Sequence, residues 1–292
     1  MDNKIINKNI LITGGAGFVG SNLAKELYKE NNVYVIDNYF TGKKSNHIKG
    51  ITYFKTETIN VLKVLKNIKL DYIFHLGEYS RVEQSFFEIE KIIEYNVRPF
   101  FELIKLAEKN NAKIIYSGSS TKFSIYFAKD TTSPYAWSKK YNTDFLNHYS
   151  NWKKINYAIA YFYNVYGPKE IIKGKYATVI GKFIHLKKIG KKSVPVTLPG
   201  TQRRNFTHIN DIVSGLILVA LYGKGDDYCI GSDDSFSIIQ IAKMLKMKIN
   251  FTTPKKGNRK NSKINNQKLK KLGWSAKYKL KEYLLSFNKK NN

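Results

Sequence analysis

In the stretch SPYAWSKK, residues 133–140, a tyrosine and a lysine stand four positions apart. On a helix the two share one face, and such i, i+4 pairs are common on protein surfaces. The spacing also permits chemistry. An ammonium held beside a phenol favours the phenolate, and a tyrosine so placed can act as a general base. YxxxK by itself does not choose between the surface pair and the chemical one, so Tyr135 and Lys139 need support from elsewhere in the chain.

That support begins at ILITGGAGFVG, residues 10–20, where Gly14, Gly17 and Gly20 follow an apolar run and precede an amphipathic one. A turn of this kind gives a pyrophosphate an unhindered approach to main-chain N–H groups at a helix N-terminus, and lets that helix lie close to the sheet. Asp37 closes the next apolar run 23 positions after Gly14, where a carboxylate can accept hydrogen bonds from a ribose. The same carboxylate repels a 2′-phosphate, so NAD is expected rather than NADP. Phe18, Val19, Asn38, Leu76 and Gly77 complete the expected cofactor contacts at the neighbouring strand ends, together with Tyr135 and Lys139. Ser119, in YSGSS, ends a later strand on the same sheet edge. The three side chains can then act together. Tyr135 takes a proton from a substrate hydroxyl, Ser119 holds that oxygen, and Lys139 supports the tyrosine and bonds the nicotinamide ribose.

The elements needed to hold these residues are legible as alternation. KNILITGG, NVYVIDN, LDYIFHLG, AKIIYSGSS and NYAIAYFYNVYG read as strands. SNLAKELYKE, EIEKIIEYNVRPFFELIKLAEKNNA and the run from Tyr135 to about Trp152 read as helices. Strands alternating with helices imply an α/β fold, a Rossmann-type doubly wound parallel sheet. The expected division is a cofactor-binding domain over residues 1–165 and a smaller mixed α/β portion over 166–292 that holds the substrate, some of its segments returning to the first domain. The site is expected in the cleft between them.

Composition bounds the rest. The 292 residues are 42% hydrophobic and 25% charged, as in ordinary globular proteins. No run is long and apolar enough to cross a membrane, and the cytoplasm is the expected compartment. The single cysteine, Cys229, excludes an internal disulfide and a cysteine metal cage, and is expected to be buried filler. No metal site is expected, because His75 and His208 have no partner at ligand spacing. The net charge of +28 is spread along the whole chain with many asparagines and isoleucines, which favours compositional bias over nucleic-acid binding. A positive field would also attract a nucleotide diphosphate.

Taken together, TGGAGFVGSNL, FHLG, YNV, YSGSS, PYAWSK, NVYGP, RRNFTHINDI and LGW resemble the extended short-chain dehydrogenases/reductases, in particular their NAD-dependent nucleotide-sugar epimerase/dehydratase branch. The resemblance runs over nearly the whole chain. It implies Ser119, Tyr135 and Lys139 as the catalytic set, Asn164 and Arg204 as contacts to the sugar nucleotide, and Arg259 of KKGNRK as a second arginine on its diphosphate. Arginine suits that role by charge-assisted bidentate bonding. It further implies a UDP- or GDP-linked substrate, a homodimer or higher oligomer using the helix after Tyr135, and a product destined for a polysaccharide or glycan. Departures matter as well. Where 4,6-dehydratases carry Asp-Glu this chain has Ser120 and Thr121, so dehydratase chemistry is not expected. HLGE puts Glu78 where a small residue is usual, and Glu78 is counted among the substrate-facing candidates. The expected activity is 4-epimerisation. A net 4-dehydrogenase acting on a hexose or heptose, with NADH reoxidised separately, is the alternative, and a non-catalytic nucleic-acid binder is a remote third.

Overall fold

The computed structural model describes residues 3–120, 133–253 and 264–288. Its centre is a seven-stranded parallel sheet formed by β1 (Asn9–Thr13), β2 (Asn32–Asp37), β3 (Thr52–Lys55), β4 (Tyr72–His75), β5 (Lys113–Ser119), β6 (Tyr157–Phe162) and β7 (Gly225–Ile230). The spatial order is β7-β6-β5-β4-β1-β2-β3. From β1 the chain winds outward to β2 and β3, then returns to the other side of β1 for β4. This reversal opens a crevice at the carboxyl ends of β1 and β4, the place where open α/β sheets bind ligands.

Successive side chains of a strand point to opposite faces, and β1 shows why both faces need helices. Ile10 and Ile12 pack on one side with Leu23 of α1 (Phe18–Leu27) and with Leu216 of the later helix Ile209–Tyr222. Leu11 packs on the other with Leu103 and Ile104 of α2 (Arg98–Asn110) and Leu146 of α3 (Pro134–Lys153). All of these side chains are fully buried. A third, separate core joins Phe183, Val194, Val196, Ile241 and Leu284 around the parallel pair Ser193–Thr197 and Lys248–Thr252.

The expected α/β class and parallel sheet are present, with local differences. The predicted helix over 88–112 is broken into Ile89–Ile92, a wider π turn at Ile93–Val97, and α2. The bulge turns Asn96 inward, where its Oδ1 accepts from Tyr79 N at 2.7 Å and its Nδ2 donates to Ser138 Oγ at 2.9 Å. The predicted strand over 156–167 divides at Asn164, whose φ is +20°. Val165–Tyr166 leaves the sheet to pair with Thr207–His208. β3 and β7 were not anticipated: β3 is a short edge strand, and β7 opens on Gly225 and two aspartates and carries a bulge before Tyr228. Cys229 is buried, as expected.

Candidate active site

A cleft of about 980 Å³ lies over the carboxyl ends of the strands. Its floor begins with the glycine turn. Gly14 has φ +68°, and a Cβ there would lie 2.7 Å from Gly77 Cα, so two strand-end loops touch backbone to backbone. A Cβ on Gly20 would lie 2.3 Å from Gly14 O, so α1 starts as close to the turn as its backbone allows. Asp37 is buried at the end of β2, its Oδ2 accepting from Ala16 N at 2.9 Å and its Oδ1 from Tyr39 N at 2.7 Å. Burial raises its carboxyl above the ordinary value, against these amide bonds. A cradle cleared of Cβ atoms, an open helix N-terminus and a strand-end carboxylate beside it fit a dinucleotide. Phe18, Val19, Asn38, Leu76 and Gly77 border the same cleft.

Tyr135 and Lys139 reach the cleft because α3 starts where it does. Ser133 caps the helix, its Oγ accepting from Ala136 N at 3.1 Å, and Pro134 takes the first position with φ already set. Tyr135 is therefore in the first turn and Lys139 one turn later on the same face. Ser119 ends β5 on the cleft, and all three residues are buried at its edge, 8%, 9% and 4% exposed for Ser119, Tyr135 and Lys139. Lys139 Nζ donates to Ser117 O at 2.6 Å and to the Glu78 carboxylate.

Glu78, expected on the substrate, borders the cleft, and its side chain is 1% exposed with its oxygens bonded within the protein. Besides Lys139, Asn142 Nδ2 donates to Oε1 at 2.9 Å and Tyr116 OH at 3.2 Å, and His75 Nε2 lies 3.6 Å away. Thr13 Oγ1 accepts from Leu76 N and Gly77 N and lies 2.7 Å from His75 Nδ1. Burial opposes the Glu78 charge, but the Lys139 ammonium and His75 outweigh it and hold the carboxyl below its ordinary range.

The far wall carries the remaining candidates. Asn164 and Arg204 both border the cleft; Asn164 Nδ2 donates to Asn205 O at 2.9 Å and Arg204 Nη1 to Arg203 O at 2.8 Å. Arg259 and Thr121 lie outside the described residues. Two lining residues have no signature in the sequence, Arg81 and Glu170. Arg81 crosses from the loop after β4 to the segment 167–178, its Nε donating to Tyr176 O at 2.8 Å, while Tyr176 OH and Tyr79 OH both bond Glu88. Burial lowers the Arg81 pKa, against the opposing effect of nearby groups that include Tyr79 and Glu170. Glu170 is itself buried, bonded by Thr178 Oγ1, and burial pushes its carboxyl up to about 7. His208 caps the helix Ile209–Tyr222, accepting from Asn210 N at 3.2 Å, and among the described residues no cluster of three or more His, Cys, Asp or Glu could hold a metal.

Residues 10–231 match the model of the NAD dependent epimerase/dehydratase family. The chain belongs to that family. NAD is accordingly the cofactor of this fold, and a nucleotide sugar the kind of substrate its members handle. Similar proteins include UDP-glucuronic acid decarboxylase 3 of Arabidopsis thaliana, 30% identical over 95% of this chain and 87% of the relative. A putative UDP-glucose 4-epimerase of Methanocaldococcus jannaschii is 28% identical over 97% of this chain and 99% of its own. Among solved structures, a UDP-N-acetylglucosamine 4-epimerase from Methanobrevibacter ruminantium, in complex with UDP-N-acetylmuramic acid, superposes with a TM-score of 0.87 at 26% identity, covering 98% of each chain. Among the described residues no helix is long and apolar enough to cross a membrane.

Proposed function

We propose that this chain is a nucleotide-diphosphate-sugar 4-epimerase working through a 4-keto sugar. The observation that carries the reading is the convergence of Ser119, Tyr135 and Lys139 on the cleft that the glycine turn and Asp37 also line. Tyr135 accepts the proton of the sugar C4 hydroxyl, and Ser119 donates a hydrogen bond to that oxygen as it becomes a carbonyl. Bound NAD would supply the reversible hydride acceptor for C4. After the keto sugar turns in the cleft, Tyr135 gives its proton back to the C4 oxygen on the new face. Asp37 holds the adenosine ribose, Lys139 the nicotinamide ribose, and Asn164, Arg204 and Arg259 the sugar nucleotide. The net charge of +28 draws the diphosphate inward. Elimination at C5–C6 is disfavoured because the hydroxyl of Ser120 stands where that chemistry needs a carboxylic acid.

The test is incubation of the NAD-loaded protein with UDP- and GDP-linked hexoses, heptoses and uronic acids, followed by chromatography and mass spectrometry. An isomer of unchanged mass supports the epimerase. A product lighter by two hydrogens with accumulating NADH replaces it with a net 4-dehydrogenase, and loss of carbon dioxide from a uronic acid replaces it with a decarboxylase.

The protein is further proposed to act as a homodimer through α2 and α3. Phe101, Trp137 and Tyr141 on these helices are 42%, 44% and 46% exposed and form a continuous aromatic strip with Phe145. Light scattering should give twice the chain mass, and Tyr141→Glu should halve it; a monomeric parent protein would end this reading.

A further inference from the structure

Among the described residues, Glu78 is the one fully enclosed carboxylate in direct contact with a member of the proposed catalytic set, and the reaction as described gives it no part. Three elements converge on it: His75 approaches from β4, Tyr116 from β5, and Asn142 and Lys139 from α3, with Thr13 at the end of β1 lying against His75. Each potential donor is itself fixed: Asn142 Nδ2 also bonds Asn96 O at 2.9 Å, and Lys139 Nζ bonds Ser117 O. A carboxylate held by this many donors keeps its charge and does not rotate away. We propose that Glu78 is a positioning residue for Lys139, fixing the ammonium at the cleft edge and offsetting its charge at Tyr135.

A lone ammonium one helical turn from a phenol favours the phenolate strongly in a buried site. An ammonium in contact with a carboxylate presents a dipole instead, and its pull on the phenol weakens. Lys139 then serves mainly as an orienting donor. The charged and titratable groups around this pair are His75 from β4, Tyr116 from β5, Tyr79 and Arg81 from the loop after β4, and Glu170 beside Arg81 from the far wall. All of them are retained in a Glu78 variant, so a change there isolates the carboxylate.

The inference rests on Tyr135 being the proton acceptor proposed above, but its test needs no turnover. The full-length protein saturated with NAD is titrated by ultraviolet absorbance of the phenolate, with Tyr135→Phe subtracted to leave the signal of that one tyrosine. In Glu78→Gln the Tyr135-dependent signal is expected to develop at about tenfold higher proton concentration than in the parent protein. Glu78→Ala should move it the same way and serves if the glutamine variant does not fold. Glu78→Asp, which keeps the charge, should restore behaviour close to the parent. A signal that is unmoved or moves to lower proton concentration in the first two variants overturns the proposal, as does the lack of any Tyr135-dependent transition. A shifted signal in a protein that epimerises no sugar supports the role of Glu78 and rejects the reaction alone.

Discussion

Two buried carboxylates line the cleft in opposite states. Glu78 sits on the cofactor side, and Glu170 on the segment 167–178 of the far wall. Burial alone would raise the pKa of both. Glu78 escapes because a full positive charge touches it: Lys139, with His75, reverses the effect of burial and holds the carboxyl low. Glu170 has only dipoles in contact, the Thr178 hydroxyl and the amides of Gly167 and Gly181, with the Arg81 charge acting less strongly, and it stays up at about 7. The difference teaches that in a dry wall hydrogen bonds alone do not replace a cation. One wall is built as a fixed ion pair and the other as a group that changes charge near neutrality.

Removing the cation should give the largest effect. Lys139→Met leaves Glu78 buried without its partner, and the expected loss is about 3–5 kcal/mol of unfolding free energy. Urea unfolding at neutral pH measures it, and a loss below about 1 kcal/mol would erase the contrast between the walls. Next comes Tyr135→Phe, which keeps the shape and removes the proton acceptor. Turnover should fall at least about a hundredfold with NAD still bound by calorimetry. Near-normal turnover would return Tyr135 and Lys139 to an ordinary helical pair.

An effect of similar size belongs to Glu170 and is read as a pH dependence. Its folded pKa lies above its unfolded value near 4.5, so its contribution to stability is complete below 4.5 and disappears as pH rises through about 7. Relative to Glu170→Gln, the parent protein should therefore lose stability across that interval, by something on the order of 3 kcal/mol at the alkaline end. Melting curves of the two proteins from pH 4.5 to 8 would show the gap opening. Parallel curves would place the Glu170 carboxyl back in the ordinary range.

The cofactor wall was far more legible in the sequence than the sugar wall, for a physical reason. A strand, a glycine turn and a helix leave a local signature: Gly14, Asp37 and Ser119 stand at strand ends whose apolar runs announce them, and Gly17 and Gly20 at the start of the helix that follows the first. Tyr135 and Lys139 share a helix face whatever that helix packs against. Arg81 and Glu170 have no such signature. Arg81 acquires its place from Tyr176 O, 95 positions away, and Glu170 from a loop that folds back on Thr178. Glu78 was visible as an odd residue in HLGE, but its partner was not, because the contact with Lys139 spans 61 positions and exists only once β4 and α3 are packed. The π turn at Ile93–Val97 and the bulged β7 were hidden for a related reason, since periodicity shows the ladder of an element and not a single inserted residue.

The central claim is that hydride leaves C4 and returns to the same carbon on the other face. The most direct measurement uses UDP-glucose, and then each other accepted sugar nucleotide, deuterated at C4, with the NAD-loaded protein in ordinary water. The account predicts a C4 epimer that retains the deuterium, with no net NADH formed by absorbance. Deuterium recovered in NADH beside a 4-keto sugar, or lost to solvent, would contradict it.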